Sequence, residues 1–178
     1  MKDLFNVWKQ ICSIHEQKLL KNWTSRKRFT NAVLYDCDAV IYDFSKQLKL
    51  EIAQEYYSVD AVFYKPSDKV SPSPKNGTWT SIQGNWLKRI RIAFEHENYL
   101  DGTKGGYQEI SHLLILQADY KILVGYGERE SIDYAEDYAS IITSSGHEDK
   151  ILFIYGQTDG TSISWDGYIL SEKGISKL

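Results

Sequence analysis

The chain has 178 residues, 42% of them hydrophobic and 25% charged, with a formal net charge of −3. That is enough chain for one domain whose folding buries roughly 70% of the unfolded surface, with no disulfide or metal staple required. No stretch has the low hydropathy and high charge of a disordered tail, and no apolar run approaches the ~18 residues a membrane span needs.

The N-terminal segment is interrupted by Asn6, Lys9 and Gln10 before any signal-peptide core could form. Instead Leu4, Trp8, Ile11, Ile14 and Leu19 recur at helical spacing, which predicts a helix over about 3–21, followed by a basic stretch at 21–28. Val33, Cys37, Val40, Ile41, Phe44 and Leu48 repeat in the same way, predicting a second helix over 30–46, although Leu48, Leu50 and Ile52 also alternate like a strand. Cys12 and Cys37 both fall in these apolar stripes and lack metal or redox spacing, so they read as reduced core residues of a cytoplasmic protein.

The β-branched and aromatic run at 59–64, stopped by Pro66, predicts a buried strand. Residues 71–85 are rich in Pro, Gly, Asn and Ser and read as an extended loop or irregular hairpin. A second strand is expected over 86–98, then a glycine-rich break at Asp101, Gly102, Gly105 and Gly106, a helix over 107–118, and a strand over 121–126 joined by a parallel crossover. The next helix, 131–144, should turn Ile132, Ala135, Ala139 and Ile142 inward and end at Gly146. A strand over 151–155 follows, with Asp159-Gly160 and Asp166-Gly167 as hairpin turns.

The chemistry-bearing pattern is acidic. On a strand ending in IRIAFEHEN, alternation sends Ile90, Ile92 and Phe94 to one face and Arg91, Ala93, Glu95 and Glu97 to the other. Two carboxylates about 7 Å apart on an apolar strand are costly to desolvate unless a cation or donor lies between them. The plainer alternative is a strand end that emerges into solvent. Asp60, embedded in VDAVFY, needs a partner for the same reason, unless it sits at a turn or bulge, and Glu55 adds a fourth acid at the preceding junction.

This order, a helix, Glu55, a strand with Asp60, a loop, a strand with Glu95-His96-Glu97, a helix and a strand, resembles the restriction-endonuclease-like, or PD-(D/E)XK, nuclease superfamily over about residues 30–126. The resemblance implies a single α/β domain spanning 1–178. Its mixed central sheet would be flanked by helices, with extra N-terminal helices and C-terminal hairpin strands around the core. It implies a metal-dependent nuclease acting on nucleic acid, DNA foremost, with Glu55, Asp60, Glu95 and Glu97 as catalytic residues. Mg²⁺ or Mn²⁺ would be held by Asp60, Glu95 and the backbone carbonyl of His96. Glu97 stands where the superfamily usually has lysine, so the fold could instead serve without catalysis as a nucleic-acid or protein interaction module. A homodimer is compatible with either.

Charge is unevenly distributed: residues 61–91 carry a net +5 and residues 131–178 a net −5. Lys65, Lys88, Arg89 and Arg91, with Trp79 and Trp86 for stacking, are therefore the expected nucleic-acid contacts, against the alternative of a solvated loop with its tryptophans folded on the core. The stretch 101–107, DGTKGGY, lacks phosphate-loop spacing, and Glu109 and His112, one helical turn apart, read as a solvated pair.

Overall fold

In the computed structural model, which describes residues 1–70, 86–98, 100, 105–127 and 129–178, seven strands form one mixed sheet in the order β1-β2-β5-β6-β7-β8-β9. The strands are β1 (Glu51–Tyr56), β2 (Val59–Tyr64), β5 (Ile90–Glu97), β6 (Ala118–Tyr126), β7 (Ile151–Thr158), β8 (Ile163–Ser171) and β9 (Gly174–Lys177), while β3 (Lys69–Val70) and β4 (Trp86–Leu87) make a separate two-stranded ribbon. β5, β6 and β7 are mutually parallel, connected through helices α5 (Gly105–Ile115) and α6 (Ser131–Ser145); the other pairings in the sheet are antiparallel.

Helices cover both faces, which is why β5 and β7 read as nearly continuous buried runs. On one face α1 (Lys2–Ile14) and α4 (Val40–Leu48) pack Trp8, Ile11, Ile41 and Phe44 onto Phe63, Phe94, Ile122 and Ile154. On the other, α5 and α6 pack Ile110, Leu113, Tyr134 and Tyr138 onto Val62, Ala93, Leu123 and Phe153. The expected α/β architecture, a mixed sheet flanked by helices with N-terminal helices and C-terminal hairpin strands, is the one observed. Among the described residues no helix is long and apolar enough to cross a membrane.

Several local expectations are corrected. The first helix divides at His15, whose ring bonds Asp43 (2.9 Å), into α1 and α2 (Glu16–Asn22). The second, expected over 30–46, divides into a π-helical segment (Asn31–Tyr35) and α4, because the chain turns at 36–38, where Lys18 binds Asp36 (3.1 Å) and Asp38 (2.5 Å), and the basic stretch before it forms a further short helix, α3 (Arg26–Thr30). Cys37 lies in that turn and is exposed, while Cys12 is buried as expected. The expected strand over 86–98 is two, β4 and β5, and Ile90 packs with the α5–α6 face rather than with Ile92 and Phe94. Ile132 points outward at 39% exposure, and Tyr134 and Tyr138 take the inward positions. Asp159-Gly160 does form the β7–β8 turn, but Asp166 and Gly167 lie within β8. Asp166 there accepts from Ser131 (2.7 Å) and Lys177 (2.9 Å), and Gly167 is needed for close approach, since a Cβ would stand 2.8 Å from the Phe5 ring. Of the expected glycine-rich break, Gly105 and Gly106 are instead the buried first turn of α5, while residues 101–104 and the loop at 71–85 lie outside the described residues.

Candidate active site

β1 and β2 are joined by the two-residue turn Tyr57-Ser58, with Tyr56 opposite Val59. Glu55 and Tyr57 both adopt left-handed backbone angles, φ 50° and 55°, where non-glycine side chains are uncommon. This hairpin lies beside β5 so that Asp60 meets the C-terminal end of that strand.

There the contacts are reciprocal. The Asp60 backbone N–H donates to Glu95 Oε2 (3.1 Å), and the His96 backbone N–H donates to Asp60 Oδ2 (2.8 Å). Glu95 is 3% exposed. Burial, and for Glu95 also the adjacent Asp60 charge, raises the proton affinity of both acids above the ordinary carboxyl range. A separation beyond about 10 Å would have prevented one cation from serving both, and in the structure the Asp60 backbone touches the Glu95 carboxylate at 3.1 Å.

α5 supplies two residues that read from the sequence as solvated. His112 Nδ1 lies 3.0 Å from Glu95 Oε1. Glu109 is half-buried, and its Oε2 is buried with no hydrogen-bond partner. Burial, followed by the charges of Glu97 and Asp60, raises the Glu109 carboxyl to about 7. The signal for Glu109 lies in its spacing: it stands three residues after Gly106 and four before Leu113, on the stripe that packs against the sheet. Gly106 permits that approach, because a Cβ there would stand 2.3 Å from the Tyr138 hydroxyl.

Tyr35, on the π-helical segment, donates its hydroxyl to Glu55 Oε1, and its own ionisation is suppressed by burial and by Glu55, Asp60 and Glu95. Glu55 is thus at the same end of the sheet as Asp60 and Glu95. The ring of His96 points to the opposite face, stacked on Phe29 (6.0 Å between centroids) and near Tyr126 (5.4 Å), and burial drives its proton affinity down to about 3. Only the backbone of His96 faces the carboxylates.

The expected nucleic-acid contacts gather elsewhere. Arg89 precedes Glu95 by six positions, about 20 Å of extended strand. Arg91 makes a two-pronged ion pair with Asp68 (2.6 and 2.9 Å) and, with Arg89, binds Asp119. Lys65 and Lys88 flank Asp68 through backbone bonds, and Trp86 is exposed on the small ribbon. All five lie toward the end of the sheet away from Asp60, and Trp79 lies outside the described residues.

As to a cation, the donors are hard carboxylate oxygens of the kind Mg²⁺ and Mn²⁺ prefer, and the orphaned Glu109 oxygen is a further donor of the same kind. The donor chemistry therefore fits, although among the described residues no three His, Cys, Asp or Glu side chains already converge as a ready-made cage. Searches against protein-family models, curated proteins and solved structures found no match for this chain.

Proposed function

We propose that the chain is a metal-dependent nuclease of the restriction-endonuclease-like superfamily, hydrolysing phosphodiester bonds in nucleic acid, DNA foremost. The observation that carries this reading is the partly buried Asp60–Glu95 contact at the end of β5, framed by the order helix, three antiparallel-linked strands, helix and parallel strand from α4 to β6.

Asp60, Glu95 and the His96 carbonyl would hold Mg²⁺ or Mn²⁺, which when bound lowers the pKa of water and offsets charge on the phosphate. The remaining chemistry belongs to the chain. His112 orients the Glu95 carboxylate through its 3.0 Å contact. Glu97, where lysine is usual, is placed on the same strand face as Glu95 to accept a proton from the attacking water. Glu55, fixed by Tyr35, completes the acidic rim.

The test is hydrolysis of end-labelled single- and double-stranded oligonucleotides with Mg²⁺ or Mn²⁺ by the wild type and Glu95→Gln. Cleavage abolished by chelator and by the variant supports the reading. A wild type inactive with every substrate and ion would instead favour an interaction module, a second reading motivated by Glu97 in the lysine position.

A further inference from the structure

Between Glu16 and Asp36 the chain carries Lys18, Lys21, Arg26, Lys27 and Arg28 and no acid. Lys18 is committed to Asp36 and Asp38, and Lys21, Lys27 and Arg28 are exposed. This basic surface is tied at two points to the end of the sheet where the carboxylates lie, from the face opposite their side chains. Asn98, next after β5, donates to the Arg26 carbonyl (3.1 Å) and to Thr30 Oγ1, and Phe29 stacks on the His96 ring. The same segment then runs seven residues from Arg28, a rise of about 10 Å, to Tyr35, which holds Glu55. Tyr57, 81% exposed, stands on the tip of the hairpin whose arms bear Glu55 and Asp60. Its ring meets Tyr56 edge-on (4.9 Å between centroids) and is otherwise in solvent, which leaves it open to a flat apolar ligand.

Resting on the nuclease reading, we infer that the site takes a single-stranded stretch of nucleic acid, its phosphates tracking the α2–α3 basic surface and an unstacked base lying on Tyr57. Phosphates neighbouring the acidic cluster need cations at that end of the sheet, and Lys21, Lys27 and Arg28 supply them. Arg89 and Arg91, paired with Asp68 and Asp119 at the other end, do not. Exposed aromatics beside a basic track are the usual means of holding single strands without reading their sequence.

The experiment is fluorescence anisotropy of a labelled single-stranded oligonucleotide across a salt series, with chelator present so that no hydrolysis intervenes. Each lost phosphate contact lowers the log–log salt slope by about 0.7, so Lys21→Gln/Lys27→Gln/Arg28→Gln should lower it by about 2. Tyr57→Ala should weaken binding about fivefold or more with the slope unchanged, and Lys88→Gln/Arg89→Gln should change neither. Thermal melting checks that each variant is folded, and Arg28→Lys in place of Arg28→Gln should restore part of the slope. An undiminished slope in the triple variant, a loss confined to Lys88→Gln/Arg89→Gln, tighter binding of duplex, or no wild-type binding overturns the inference. Binding that depends on α3 without cleavage under any divalent ion upholds it while removing the nuclease reading; cleavage indifferent to α3 does the reverse.

Discussion

Glu109→Gln isolates the cost of assembling so many acids at one end of the sheet. The folded carboxyl binds its proton up to about pH 7, whereas an ordinary glutamate releases it near 4.5. Between those values the folded state holds more protons than the unfolded state. Stability is therefore fully present below the unfolded pKa and falls as pH rises through the folded one. Each tenfold change in proton affinity is worth about 1.4 kcal/mol, which sets a ceiling of about 3.4 kcal/mol. Glu109 is only half-buried, and solvent screening reduces this to about 1–2 kcal/mol. For a domain of this size that is roughly 3–6 °C in Tm. Melting of the wild type and Glu109→Gln by circular dichroism at a series of pH values should show the variant gaining this margin between about pH 5 and 8. Curves that stay parallel across that range would refute the electrostatic account of Glu109.

Three further outcomes are expected. Gly106→Ala should destabilise by about 1–3 kcal/mol in chemical denaturation and weaken the α5 contribution to the site, because its Cβ meets the buried Tyr138 ring and must push the helix outward. Lys49→Gly should stabilise by about 1 kcal/mol, since Lys49 closes α4 in the left-handed conformation (φ 55°, ψ 44°) where glycine carries no Cβ penalty; an unchanged urea midpoint would contradict this. Arg91 holds the Asp68 carboxyl down at about 2, so the stabilisation from this pair is present above the ordinary value of 3.8 and lost as pH falls toward 2. Asp68→Asn should accordingly flatten the acid limb of a urea-midpoint profile, and an unaltered limb would contradict the assignment.

How far the sequence revealed this structure depended on whether a residue's neighbours were close in the chain. The runs at 59–64, 121–126 and 151–155 combine β-branched content with clear stops, and each is a buried strand. Asp60 and Glu95 were legible because an acid inside an apolar strand demands a partner, and each became the other's. The β1–β2 turn was not, since Tyr57 takes a left-handed angle with no Asn-Gly or Asp-Gly signal. Asp166-Gly167 misled in the opposite sense, its glycine serving the Phe5 ring rather than a turn. His112 and Tyr35 join the site only through tertiary packing of α5 and the π-helical segment, whereas Glu109 is marked by its spacing on the buried stripe of α5. The basic residues from Lys65 to Arg91 looked like one patch because sequence shows the charges but not the pairing of Arg91 with Asp68 and of Arg89 and Arg91 with Asp119.

The most direct test of the central claim, that Asp60 and Glu95 form one cation site, is calorimetric titration of Mn²⁺ into the wild type, Asp60→Ala and Glu95→Ala, alone and with a non-cleavable oligonucleotide. Binding to the wild type that is lost in both variants is the predicted result. A wild type that binds no Mn²⁺ under either condition, or variants that bind it as well as the wild type, would contradict the account.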